Sequence, residues 1–223
     1  MSESTKVTSP DEFILDSPRL REFIAAVHQI RSGSASAELA IAAIQPHFAT
    51  LLADPNWLPA SYQEPFAESG MGSGIGMWLL YRAGDGGLAF SSLVVPPGAA
   101  TPVHDHLAWG LVGLYRGTQN EEVFVRHNAE SESETDASLA LTERRSLVPG
   151  DFYQLLPEND IHRVQTTSDV TSVSLHLLGN DNGCIWRHRF HPTEQRVEPF
   201  RSGYVNVPCA TDADNLQRAA LAE

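Results

Sequence analysis

The sequence predicts an all-β barrel or sandwich preceded by a helical segment, and three observations carry that expectation. From Gly70 onward, short aliphatic and aromatic runs are separated by Gly, Pro, Asn and Asp, the texture of many strands joined by turns. Before Gly70 the apolar residues instead recur at helical spacing. The 223 residues with 42% hydrophobic content suffice for one domain with a proper core and leave no room for a second full one. The chain therefore divides into an N-terminal helical extension over 1–69, a barrel over 70–206 and a C-terminal tail over 207–223.

The first helix is announced by Ser17-Pro18 and carried by Leu20, Phe23, Ile24 and Val27. After a Ser/Gly break at 31–36, a second helix uses Leu39, Ile41, Ile44, Phe48, Leu51 and Leu52 for packing, with a kink expected at Pro46. The strands are expected at 77–82, 88–95, 100–106, 111–116, 121–125, 144–148, 151–155, 162–166, 172–178 and 185–190. Residues 127–138 carry Glu130, Glu132, Glu134 and Asp136 without an apolar period, so they read as a solvated loop. Residues 210–223 read as a short helix or a frayed tail without identifiable chemistry.

The net charge of −13 disfavours nucleic-acid and anionic-membrane partners, which attract basic faces, and its simplest meaning is solubility. The polar start, with Glu3, Lys6 and Asp11, lacks the basic and apolar blocks of a secretory signal. No apolar run approaches the roughly 20 residues that a bilayer demands. Cys184 and Cys209 form no close-spaced ligand pair, so neither a zinc site nor a disulfide framework is indicated, and the reducing cytoplasm is the expected location. A monomer or small homo-oligomer is expected.

Chemistry concentrates in histidines. His104 and His106 are two residues apart, which on a strand puts both on one face. His162 follows the turn Pro157-Glu-Asn-Asp-Ile and opens another strand, so three imidazoles can converge across facing strands. Any one of these histidines alone would read as a satisfied or exposed side chain. Together they resemble the two cupin motifs, a Gly (Gly98) before His-x-His and then a Pro-x-Gly-x-x-His element, with Asn159 in place of the second Gly and Gly117 closing the first motif. The expected fold is thus the cupin double-stranded β-helix. The Glu usual after the second His is absent, since Gly110 and Leu111 occupy its positions. Three neutral imidazoles leave a dication uncompensated with open positions, which favours anionic chelating substrates such as thiolates with a carboxylate.

The chain further resembles the cysteine dioxygenase-like thiol dioxygenases of bacterial type. The resemblance spans 75–206 and rests on His104-Asp-His106, Trp109-Gly110, Gly117, Glu121-Glu122-Val-Phe124, Ser174-Leu-His176, and the stretch from Arg187-His-Arg-Phe190 to Gly203-Tyr204. It implies Fe(2+) on His104, His106 and His162, with O2 and a small mercapto acid, such as cysteine or 3-mercaptopropionate, giving a sulfinate. It also implies a carboxylate-binding role for Arg82, a relay through Ser174 and His176, and a substrate contact by Trp109. Leu178 stands where the family has Tyr, and Gly110 where animal enzymes have the crosslinked Cys, so no Cys–Tyr cofactor forms. Leu178 shares a strand face with Ser174 and His176 and should line the cavity. The alternatives are another three-His cupin metalloenzyme, a diketone-type dioxygenase or an isomerase, and a non-catalytic ligand-binding cupin.

Overall fold

The computed structural model describes residues 9–127 and 138–209. Most of the acidic stretch read as a loop, the tail beyond 209 and the first eight residues lie outside the described residues.

Helix α1 (Pro18–Gly33) begins where Ser17 accepts a hydrogen bond from the Leu20 amide at 3.2 Å and Pro18 occupies the first turn. It buries Leu20, Phe23, Ile24 and Val27, the residues that its period predicts. Helix α2 (Ala37–Leu52) is capped by Ser36 and buries Ile41, Ile44, Phe48, Leu51 and Leu52. One expectation fails here. Leu39 lies in the first turn and is 60% exposed rather than packed. The helix continues past Pro46, and both Pro46 and Ala42, whose carbonyl loses its amide partner, face solvent.

The strands are β1 (Glu12–Phe13), β2 (Phe66–Ser69), β3 (Gly72–Gly74), β4 (Gly76–Arg82), β5 (Ala89–Val95), β6 (Val103–His104), β7 (Gly110–Arg116), β8 (Gln119–Arg126), β9 (Leu139–Leu147), β10 (Phe152–Leu155), β11 (Ile161–Thr166), β12 (Ser172–Leu178), β13 (Arg187–His191) and β14 (Arg196–Phe200). One antiparallel sheet has the order β1-β4-β5-β12-β7-β10 and the other β14-β13-β6-β11-β8-β9. From β5 to β13 the chain passes repeatedly from one sheet to the other, which is the double-stranded β-helix of the cupin fold. The fold is thus all-β with an N-terminal helical pair, as the sequence predicts.

The helices cover the outer face of the first sheet, where Phe90 meets Phe23 at 5.3 Å, Trp57 at 6.2 Å and Phe48 at 6.4 Å between ring centroids. Strand β12 is consequently buried on both faces: Val173, Leu175 and Leu177 pack toward the helices, and Ser174, His176 and Leu178 point into the barrel. The second sheet has one wet face, so β8 alternates, with Gln119, Glu121 and Val123 buried inside and Asn120 exposed.

Several boundaries differ from expectation. The strand expected over 100–106 shrinks to β6, because the chain turns away at Asp105. Strand β9 starts earlier than 144, and β13 starts at Arg187 because 181–186 form a turn. The short β1, β2, β3 and β14 carry no readable period.

Cys184 and Cys209 form a disulfide with Cα atoms 5.3 Å apart, contrary to the sequence reading. Residues distant in sequence meet because the chain folds back after β14. The Tyr204 hydroxyl accepts from the Gly183 amide at 3.0 Å and donates to Asp181 at 2.9 Å, and Asn206 bonds both backbone groups of Leu79 at 2.9 Å. Gly183 must be glycine here, since a Cβ would stand 2.4 Å from the Tyr204 ring. The cysteine argument for a reducing compartment therefore loses its basis. Among the described residues no helix is long and apolar enough to cross a membrane.

Candidate metal centre

His104 on β6 lies directly opposite His162 on β11 in the antiparallel ladder, so both side chains leave the sheet on the inner face. His106 reaches the same point by a different route. It lies beyond the strand, just before Leu107 with φ 51°, a left-handed conformation that costs a branched residue free energy. Asp160 pins this turn by accepting the His106 amide at 2.8 Å and the Leu107 amide at 2.9 Å. The side-chain amides of Asn180 and Asn182 each donate to the His106 carbonyl at 3.0 Å.

The three imidazole centroids are 4.9, 4.8 and 4.7 Å apart, and one nitrogen from each ring falls within 4.8 Å of the others. Each ring is oriented through Nδ1. That of His104 meets the Pro102 carbonyl at 2.9 Å, that of His106 the Asp160 carboxylate at 3.0 Å, and that of His162 Glu121 at 2.5 Å. Nε2 of His162 is buried without a hydrogen-bond partner. An orphaned buried nitrogen facing two further imidazoles fits a metal ion. Burial lowers the pKa of His104 and His106, with Arg187 and neighbouring histidines adding to it and the Asp160 hydrogen bond opposing it at His106, which keeps these two rings neutral and able to ligate.

No carboxylate is among the three, as expected, yet two stand directly behind them. Glu121 is 1% exposed and receives the Tyr153 hydroxyl at 2.5 Å and the Arg145 guanidinium at 3.4 Å. Burial alone would raise its pKa, but hydrogen bonds from His162 and Tyr153 and the charge of Arg145 outweigh it and hold the group ionised. Asp160 is likewise lowered against burial by His106 and the backbone amides.

Within the barrel, His176 Nε2 meets Ser174 Oγ at 2.9 Å, and its ring lies 6.4 Å from that of His106. Burial again depresses the His176 pKa. Leu178 is 1% exposed and forms an apolar wall with Val112, Leu155, Ala108 and Tyr153.

Two residues named from the sequence are placed elsewhere. Trp109 packs with the core between sheet and helices, with the Arg31 guanidinium 5.7 Å from its ring, so it faces away from the histidines. Arg82 is held by Glu12 at 2.9 Å and Asp181 at 3.3 Å, which occupies its fork. Arg187, to which no local pattern assigns a role, is 1% exposed. It donates to the Asp105 carbonyl at 2.7 Å, Ser202 Oγ at 3.0 Å and the Asn182 carbonyl at 3.4 Å, all neutral acceptors. Its guanidinium lies 4.5 Å over Phe200, whose ring is 6.0 Å from that of His104. Burial pulls its pKa down to about 10.

No protein-family model matches the chain. Among solved structures, Peruvianin-I, a cysteine peptidase from Thevetia peruviana latex, is 19% identical over 58% of this chain and 75% of its own, with a TM-score of 0.41. A recombinant oxalate oxidase in complex with glycolate is 13% identical over 58% and 61%, with a TM-score of 0.41. The cupin domain of Schizosaccharomyces pombe Cnp3 is 12% identical over 48% and 61%, with a TM-score of 0.36. Strand order and site geometry make this chain an all-β protein of cupin fold whose interior holds a three-histidine cluster that fits a metal ion.

Proposed function

We propose that the protein is an iron(II) thiol dioxygenase that converts a small mercapto acid to its sulfinate with O2. The observation that carries the reading is a cluster of three imidazoles set beside the buried guanidinium of Arg187, whose hydrogen bonds go to neutral acceptors while the carboxylates of Asp105 and Asp160 act on it from further away. A cation buried at a cost of several kcal/mol, next to a site without a ligand carboxylate, suits a substrate that brings its own negative charges.

His104, His106 and His162 would hold the ion through Nε2. Iron bound there would supply a place for the thiol sulfur and O2 to meet, with sulfur providing all the electrons that O2 takes up. Both oxygen atoms end on sulfur, so no reductase or organic cofactor is needed. Arg187, rather than Arg82, would take the substrate carboxylate, because it is desolvated and its three nitrogens bond neutral acceptors, so that each terminal nitrogen keeps a second N–H for an anion, whereas both terminal nitrogens of Arg82 bond carboxylates. His176, held by Ser174 and kept neutral by burial, would fix the substrate's polar end by a hydrogen bond rather than by taking up a proton. Leu178 and its apolar neighbours exclude water and set the space left for the carbon chain.

The test is O2 consumption by the iron-loaded protein across a panel of mercapto acids, with sulfinate identified as product. Thiol-dependent uptake that is abolished, along with iron binding, in His104→Ala, His106→Ala and His162→Ala is the expected result. Uptake that ignores thiols but responds to diketones would transfer the site to the alternative three-His chemistry.

A further inference from the structure

We infer that Glu121 and Asp160 together supply, through the back of His162 and His106, the negative charge that no ligand of the cluster provides, and so tune the affinity and redox preference of the bound ion. The inference rests on the metal reading above and goes beyond it by assigning two positioning residues. The motif position where a ligand carboxylate is usual holds Gly110 and Leu111, yet two of the three imidazoles bind a carboxylate through Nδ1. His104 Nδ1 donates only to the Pro102 carbonyl. Charge is thereby kept within one imidazole of the ion while its coordination positions stay free for substrate and O2.

Neighbouring cations offset this charge only in part, since Arg187 bonds neutral acceptors rather than Asp160. Arg145 is the cation nearest Glu121, but its contact is 3.4 Å, and its guanidinium is bound by Glu143 through two bonds of 2.7 Å. His162 is closer to Glu121, at 2.5 Å. Tyr153 donates to the same oxygen and locks the carboxylate in place. Asp160 serves geometry and charge together, since its two oxygens hold the turn that carries His106 and Oδ1 also faces that ring.

Co(II) affinity by chelator competition and the Fe(III)/Fe(II) midpoint potential are the two readouts. Glu121→Gln keeps shape and acceptor but removes charge, and should weaken Co(II) binding by about 10- to 100-fold and shift the potential to more positive values. Asp160→Asn should act in the same direction. Glu121→Asp, which retains the charge, should restore most of the potential shift, a rescue that a purely structural role would not produce. Glu122→Gln, next in sequence but on the outer face, should change neither readout. Wild-type affinity and potential in both Glu121→Gln and Asp160→Asn would overturn the inference while leaving the metal site standing. Equal Co(II) binding by the wild type and His162→Ala would instead overturn the metal reading itself.

Discussion

Replacing Arg187 by Met separates a structural arginine from a substrate anchor. The change removes hydrogen bonds of 2.7, 3.0 and 3.4 Å to neutral acceptors, but it also removes a buried charge. Bonds from a charged donor contribute about 1.5–3 kcal/mol each, while the buried ion's desolvation costs several kcal/mol, so the net loss of stability should be about 2 kcal/mol or less. The kinetic effect should be larger. A bidentate charge-assisted pair with a carboxylate is worth about 3 kcal/mol, or roughly 100-fold. The assay compares kcat/KM for 3-mercaptopropionate with that for a neutral thiol such as mercaptoethanol, at matched iron content. The ratio should fall about 100-fold in Arg187→Met and recover only in part in Arg187→Lys, which lacks the fork. An unchanged ratio in an iron-replete variant would refute the assignment. Arg82→Met should leave the ratio within about twofold, since its partners are Glu12 and Asp181.

Leu178→Tyr should move specificity toward compact cysteine, changing the ratio of kcat/KM values at least several-fold with iron content intact; a flat ratio across the panel would exclude the apolar wall from substrate selection. Because His104, His106 and His176 have depressed pKa values, the folded apo protein resists protons that the unfolded chain accepts, so stability is complete above about pH 6.5 and falls as the pH drops below it. The loss should approach about 1.4 kcal/mol per histidine per pH unit, read as a denaturant midpoint that declines from pH 7.5 to about pH 5.5 and would be flat if the rings titrated normally. Reducing the Cys184–Cys209 bridge, which spans 25 residues, should cost about 3 kcal/mol by chain entropy, measured as a lower melting temperature matched by Cys209→Ser.

The helices, most strands and the three histidines were legible because each rests on local pattern: a cap and period for α1, turn residues between strands, and His-x-His spacing for the metal cluster. What was hidden lies in pairings between distant segments. Glu121 alternates with polar Asn120 and Glu122 on β8, so nothing in the strand marks which face is interior; only its pairing with β11 brings it to His162. Asp160 reads as a turn residue, and Arg187 as one of several basic residues in a C-terminal strand, until the fold buries them. The disulfide escaped for the same reason, since its closure depends on the chain's return after β14. His106 shows a right result reached by a wrong route: alternation along a strand was expected, whereas a left-handed Leu107 and the carboxylate of Asp160 aim the ring.

The two-sided burial of β12 ties the chemistry of the site to the weight of the hydrophobic core. A slip of one residue would thrust Leu175 and Leu177 into the polar interior and press Ser174 and His176 into the greasy seam beneath α1 and α2. Both exchanges are unfavourable at once, so the helical pair acts as a ratchet that admits a single setting of the strand. A barrel stripped of that cover would lose one of the two penalties, and His176 would be aimed at the cluster by ladder hydrogen bonds and inner packing alone.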